Sequence, residues 1–510
     1  MKELWDTIIV GSGIGGLTAA AHLAKAGLRV LVLDRNPHPG GTAYAYHRKG
    51  FTFPMGPLGF SHPGLVQNTL KDLGVGENLK FSRVHYRIRA FDLDLSLSLP
   101  FADMMEELSK PFPADAEGVK HFFLDMNELT SKQNHDPNRP RLNQKKDISA
   151  LDYLQNLIKD GRLRRILGSI GTREPYSGLP LLAAMWNLMC HEGIWFPEEG
   201  MQSFCKRLAR AVTGNDETSG EIQLNREVGK IRVDQGKVLG VILKDGTRID
   251  SSSVISNADY KTSFLKLMEP KTIPPEWYDV ISSGRQTGSV FQVCLGVGTG
   301  KADLSAFKKA SRLIYRRSGR NLEERERLDW NVQEINPEVL AGQELEVSLW
   351  GKDWEKASSE GRAPIVIRAE ADYNHFAKYR LGWRQRSPEY QGYKTRLGQA
   401  LIREIDQFIP GLEKAILVTD VATPLTFEDQ GGRSGGAVAG WSWDYEDLRD
   451  ERPKELIRTP IKGLFMAGYQ AFSALFMGGV PTAMESGKRA ARAVLEGADP
   501  VEEISIPGRK

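Results

Sequence analysis

Cysteine is scarce. The 3 in 510 residues, Cys190, Cys205 and Cys294, are too few and too far apart for a disulfide framework or a thiolate metal site, and read as core residues in a reducing compartment. Long apolar runs are lacking too. The longest, Leu179 to Met189 and Ala471 to Val480, fall short of the roughly 18 residues a bilayer crossing needs, and Pro180 interrupts the first. Neither charge sign dominates, with 68 Lys plus Arg against 65 Asp plus Glu. Both signs are interspersed, so there is no basic stripe of the kind a nucleic-acid face requires. The opening MKELWDTIIVGSGIGG enters a strand too early to hold a charged segment, an apolar stretch and a cleavage site. No secretory leader is expected, and the expected location is cytoplasmic. No catalytic triad, HExxH or carboxylate pair stands at diagnostic spacing. The length exceeds one compact core and predicts two packed units.

What the chain does carry begins at once. Asp6 to Val10 is a short β-rich run, Gly11-Ser12-Gly13-Ile14-Gly15-Gly16 follows, and Leu17 to Ala26 reads as a helix with an Ala/Leu face. Gly27 ends that helix, and the buried strand Leu28 to Leu33 delivers Asp34 roughly 20 residues after the glycines. Each part has a task in holding a dinucleotide. Gly11 permits the tight turn, Gly13 lets backbone N–H groups approach a pyrophosphate, and Gly16 lets the helix pack close to the strand. The phosphates then meet the positive end of the helix. Asp34 accepts from both hydroxyls of the adenosine ribose and repels a 2′-phosphate.

Two further features favour FAD over NAD. Arg35 and, after a short loop, Gly40-Gly41-Thr42 form a second glycine site that lets backbone run beside an extended pyrophosphate and flavin. Near the other end, Gly463 to Gly468 is a strand with Tyr469 after it, and Gly478-Gly479-Val480-Pro481 opens a helix over Thr482 to Leu495. Strand and helix are expected to return to the first unit, with the positive helix end at the pyrimidine side of the flavin ring.

These residues resemble the phytoene desaturase, carotenoid isomerase and retinol saturase group of flavoproteins, within the amine-oxidase-like superfamily, over nearly the whole chain. The likeness also rests on Gly50-Phe51-Thr52-Phe53 with Gly56-Pro57, Gly193-Ile194-Trp195-Phe196-Pro197 with Gly200-Met201, Asp245-Gly246 leading to Val254-Ile255-Ser256-Asn257-Ala258-Asp259, and Thr423-Pro424-Leu425-Thr426-Phe427. Two positions depart from the group's pattern: Tyr469 and Pro54 stand where acids are usual. The resemblance implies an α/β protein with a Rossmann-type FAD-binding domain, discontinuous over 1–69, 189–263 and 410–500. It implies an α+β substrate-binding domain over 70–188 and 264–409, and leaves 501–510 as a tail. It also implies that the backbone of Val228 meets the adenine edge; Val228 reads equally as a buried strand valine.

The implied reaction is hydride exchange with flavin N5 at C–C or C=C bonds of an apolar polyene or isoprenoid lipid, giving desaturation, saturation or redox-neutral isomerisation. Only one dinucleotide fingerprint is present, so an external electron acceptor or donor is expected. Met185, Trp186, Leu188 and Met189, with Phe472, Leu475, Phe476 and Met477, read either as a tunnel wall or as core. His191 with Glu192, Arg173 with Glu174, and Tyr176 read as ring-facing or structural. Gly431 to Gly436 passes the flavin or is a surface turn. The basic stretch Ser131 to Lys146 reads as a solvated loop or as a contact to anionic headgroups. An amine-oxidase-like enzyme with aromatic walls from Trp441, Trp443 and Tyr469 is one alternative function. A non-catalytic lipid-escort protein on the same fold is another.

Overall fold

The computed structural model describes residues 5–90, 92–130, 149–169, 178–214, 220–317, 328–351, 354–441, 454–473 and 479–504. The apolar runs Thr7–Val10 and Val30–Leu33 are buried at every position, as strands covered on both faces must be. They lie in a five-stranded sheet ordered Leu464–Met466, Val254–Ser256, Thr7–Val10, Val30–Leu33, Gly220–Gln223. Every pairing in it is parallel. Distant parts of the chain thus share one Rossmann-type layer. The helix Ile14–Lys25 follows the glycine turn and packs on Gly479–Leu495. At that contact a Cβ on Gly487 would stand 2.3 Å from the Gly15 carbonyl oxygen, so the two helices meet backbone to backbone.

The segment from Glu221 to Val254 divides. Gly220–Gln223 closes the edge of the parallel sheet, while Val228–Asp234, Lys237–Leu243 and Arg248–Asp250 form a separate antiparallel sheet. Its turns bring Gln235, Gly236 and Gly246 to positive φ, as short hairpin turns demand.

A seven-stranded sheet makes the second unit, ordered Ile416–Ala422, Ser289–Gly298, Arg362–Ala371, Leu345–Leu349, Arg312–Tyr315, Tyr86–Ala90, Leu93–Ser96. Ile416–Ala422 is antiparallel to Ser289–Gly298, so the boundary expected at 410 cuts across this sheet. The chain leaves it only after 422, where Thr423 caps the helix Pro424–Gly431 with a capping box. Alternation sets the faces. Val293, Leu295, Val347 and Ile367 enter a core with the helix Glu389–Phe408. Gln292, Arg368 and Arg312 point the other way, donating to the carbonyls of Pro54, Gly56 and Leu58. The helices Phe101–Ser109, Ala116–Thr130, Ala150–Leu157, Gly161–Ser169 and Leu179–Asn187 pack around a further core.

The three cysteines are buried and unbridged. Among the described residues, no helix is long and apolar enough to cross a membrane, and no cluster of His, Cys, Asp or Glu has metal-binding geometry.

Candidate active site

The glycine turn, the second glycine site and the C-terminal strand and helix converge on one cavity. Gly11, Gly13, Gly15, Asp34, Arg35, Gly40, Gly41, Thr42, Val228, Gly468, Tyr469, Gly479 and Val480 all line it. Ser12 and Gly16 lie behind the wall. Ser12 is fully buried and donates through its N–H and Oγ to Asp34 Oδ2 at 2.6 and 2.7 Å. The Asn36 N–H donates to Oδ1 at 2.8 Å. Asp34 is therefore held from inside the protein, with its remaining lone pairs turned to the cavity. Gly16 acts by closeness, since a Cβ there would meet the Gly11 carbonyl oxygen at 2.2 Å.

The residues present fit a dinucleotide. Gly13 caps the helix Ile14–Lys25 with no side-chain hydrogen bond, and its first turn carries no acid, so the free N–H groups are open to an anion. Gly11 has φ of 97°, the left-handed geometry that turns the chain from strand to helix. Asn257, ending Val254–Ser256, sets its amide over this turn: Nδ2 faces Gly13, while Oδ1 is buried without a partner. Val228 lines the opposite region, where the strand register slips between Val228 and Lys230.

Several lining residues appear in the sequence motifs without a site role, and Arg368 in none of them. Asp259 caps the helix Tyr260–Leu265 through Thr262 N–H and accepts from Ser434 N–H at 3.0 Å. It thereby fixes the Gly431–Gly436 loop, whose Gly431, Gly432 and Arg433 form cavity wall. Arg433 donates to the Val438 carbonyl at 2.7 Å and to Thr42 Oγ1 at 3.2 Å. Burial lowers its pKa from the usual arginine value and raises that of neighbouring Tyr469. Arg433 does not announce itself locally, because its loop and the second glycine site meet only through the fold. Arg35 donates to the Asp429 carbonyl at 3.1 Å and lies 4.9 Å from the Trp383 ring centre.

Other expectations fall away. Met185, Trp186 and Met189 are packed solid, with Trp186 edge-on to Phe122 and Phe123 and its Nε1 donating to the Leu167 carbonyl. That helix serves core packing and not a tunnel, and neither Leu188 nor buried Phe472 lines the cavity. Trp441 is buried against Tyr260, its Nε1 bonded to the Gln470 carbonyl, so of the two proposed aromatic walls among the described residues, Trp441 and Tyr469, Tyr469 is the one that lines the cavity. His191 packs edge-on to Phe101 with centroids 4.5 Å apart and lies off the cavity. Arg173, Glu174, Tyr176, Trp443, Leu475, Phe476, Met477 and the Ser131 to Lys146 stretch lie outside the described residues.

Residues 14–369 match the profile of the flavin containing amine oxidoreductases. The chain belongs to that family. A flavin cofactor, together with a glycine turn and carboxylate that fit a dinucleotide, makes the cofactor FAD. Among the family's curated proteins, the chain is 26% identical over 519 residues to the chloroplastic prolycopene isomerase of Arabidopsis thaliana, across 92% of this chain and 80% of that one. It is 23% identical to a lycopene-forming phytoene desaturase of Pseudescherichia vulneris, across 83% and 86%. It is also 23% identical to a zebrafish (Danio rerio) protein named inactive all-trans-retinol 13,14-reductase, across 93% and 83%. A solved oxidoreductase from Methanosarcina mazei superposes with a TM-score of 0.62 at 17% identity, over 95% of this chain and 99% of that one. An engineered putrescine oxidase does so with 0.60 at 16%, over 97% and 99%. At such identities the structures share the fold.

Proposed function

We propose that this flavoenzyme exchanges hydride with C–C or C=C bonds of an apolar polyene or isoprenoid lipid, by desaturation, saturation or redox-neutral isomerisation. The observation that carries the reading is the composition of one cavity, whose lining joins the glycine cradle to Met55, Pro57 and Phe427, side chains suited to an apolar chain. Relatives named for polyene substrates and matched along most of their length support it.

In this reading the amides of Gly11 to Gly16 face the pyrophosphate, Asp34 holds the ribose and Val228 backbone meets the adenine edge. Gly40, Gly41, Thr42 and Arg35 flank the extended cofactor. Gly468, Tyr469, Gly479 and Val480 border its ring end, where the N-terminus of Gly479–Leu495 favours negative charge. Bound FAD supplies the hydride exchange. The chain's residues orient the lipid, keep water out and hold the ring. Tyr469, in the position of the usual acid, presents a neutral hydroxyl kept protonated by burial. The cofactor domain then comprises the two smaller sheets with their helices, and the seven-stranded sheet belongs to the substrate domain.

An external electron acceptor or donor completes the cycle, and the protein works in the cytoplasm, collecting its lipid at a membrane surface. Loading the FAD-bound protein anaerobically with a polyene hydrocarbon tests the reading. Change in the flavin absorbance with a matching two-hydrogen or isomeric product by mass spectrometry supports it. Turnover of simple amines with peroxide release, and no change with polyenes, would favour the amine-oxidising alternative. A colourless protein that cannot be reconstituted with FAD would favour the escort.

A further inference from the structure

The seven-stranded sheet turns an unusual set of groups toward the Gly56 to Leu58 segment, which borders the cofactor cavity through Gly56 and Pro57. Arg312 is 2% exposed. One of its nitrogens, Nη2, donates to the Leu58 carbonyl, whereas Nε and Nη1 are buried with no partner. Its cross-strand neighbours are Ser348 on one side and Tyr86 on the other. Ser348 Oγ, fully buried, has no partner, and neither has Nε1 of buried Trp350, two residues further on and just past the end of that strand. The Tyr86 hydroxyl, kept protonated by burial with its pKa pushed up to about 12, bonds to none of the described residues.

Arg368 adds a second guanidinium on this face. It lines the cavity and donates to Gln292 Oε1 at 2.7 Å and to the Gly56 carbonyl at 2.5 Å. The nearest acid on the face is Glu346, cross-strand from Arg368. Among the described residues neither Arg312 nor Arg368 forms an ion pair with it or with any other carboxylate. The surrounding wall is apolar, built from Leu58, Val366, Phe53 and Trp350.

Buried Arg312, half-buried Arg368 and several orphan donors, set among hydrocarbon groups, form a site short of one thing, a negatively charged acceptor bonded to Arg312, since Glu346 stands cross-strand from Arg368 and pairs with neither arginine. A buried guanidinium without a counter-charge is expensive. A water molecule satisfies N–H groups but leaves the charge uncompensated. A carboxylate supplies both acceptor oxygens and charge, and an apolar wall beside it selects a carboxylate attached to a hydrocarbon chain.

We propose that this face, through Arg312 with Ser348 and Trp350 and with Arg368 between them and the flavin, binds the carboxylate end of an amphipathic isoprenoid or polyene acid. Its chain then runs past Gly56 and Pro57 toward the ring. The inference rests on the proposed lipid-oxidising reading and narrows its substrate class from hydrocarbons to acids.

The test uses the FAD-bound protein and three probes on one polyene skeleton: the carboxylic acid, its methyl ester and the parent hydrocarbon. Binding is read from perturbation of the flavin spectrum. The acid is expected to bind about 10- to 100-fold more tightly than the ester, the range of a charge-assisted hydrogen bond. Arg312→Met, which removes the buried charge at similar volume and leaves the yellow band as a folding check, is expected to erase that preference while ester and hydrocarbon bind as before. Ser348→Ala is expected to reduce it in part.

Equal binding of acid and ester by the unaltered protein overturns the inference and leaves the proposed function standing. So does a preference for the acid that survives Arg312→Met. If none of the three probes binds, the proposed function falls with it. Acetate separates the two sources of carboxylate: if acetate alone raises the melting temperature and the polyene acid gains nothing over its ester, the site holds a free anion and the inference is overturned.

Discussion

At the scale of the residue, Asp34 shows how a carboxylate is made ready for a sugar. Its two oxygens are aimed by Ser12 and Asn36 from within the protein, so the ribose meets a group that has little rotamer freedom left to lose. Replacement by Ala removes a charged acceptor and strands the Ser12 donors. We expect the FAD dissociation constant to rise about 10- to 100-fold, from the usual 1.5–3 kcal/mol of such bonds, measured by recovery of flavin fluorescence on dilution. Ser12→Ala keeps the charge and loses only the aim, so a smaller loss in the same assay is expected. Arg433 sits differently: its cationic head spans loop and glycine site through Val438 and Thr42. Arg433→Met is expected to weaken FAD binding while leaving the apoprotein's melting temperature close to that of the parent, because a half-buried cation is exchanged for an apolar chain of similar volume.

At the scale of the element, the first and last helices approach each other backbone to backbone. Gly487 fits against Gly15 only because it lacks a Cβ, with Thr18 and Ala19 also within about 3 Å of where that atom would stand. Gly487→Ala forces Gly479–Leu495 away from Ile14–Lys25. The expected cost is about 1–3 kcal/mol, the usual range for overpacking. It should be visible in thermal melts together with weaker flavin retention, since both helix N-termini border the cavity. A melting temperature equal to the parent's would contradict the packing described. Asp259 is a second lever, capping one helix and holding the Gly431–Gly436 loop at once; Asp259→Asn keeps an acceptor for the cap and so separates the two duties.

At the scale of the whole molecule, stability follows the histidines. The pKa values of His22, His38, His85, His191 and His375 are all held below the ordinary 6.5, burial being the largest cause in each. The folded state stays neutral at a pH where the unfolded chain already takes up protons, so stability falls as pH drops below about 6.5. His375 has the clearest chemistry. The Trp330 carbonyl can only accept, so Nδ1 carries the proton of the neutral ring and Nε2 accepts from the Tyr393 hydroxyl, which itself accepts from Ile335 N–H. A second proton on the ring breaks the bond from Tyr393. Denaturation midpoints recorded between about pH 7 and 5 should fall steadily in the parent. His375→Gln is expected to be less stable at neutral pH and to show a shallower fall; an unchanged slope would contradict the assignment.

The amino-acid order alone determined the strand, glycine turn and helix at the start, the spacing of Asp34, and a flavin dinucleotide as ligand. Those features are written in short-range sterics: a positive φ at Gly11, apolar runs that must be buried, free amides at a helix tip. It also marked the returning strand and helix near the end, through their own glycine and proline punctuation. It did not reveal that 416–422 pairs into the second sheet, nor that Met185 and Trp186 are core and not channel, because an apolar pattern reports burial without naming what lies opposite. Only the tertiary structure decided where three of the arginines, Arg433, Arg368 and Arg312, meet the site and its border. The Arg433 head reaches Thr42 across 391 residues of sequence, Arg368 reaches Gly56 across 312 and Arg312 reaches Leu58 across 254. Such meetings are set by which strands pair and in what register, and a single charged residue inside a strand carries no local trace of the partner that register will bring to it.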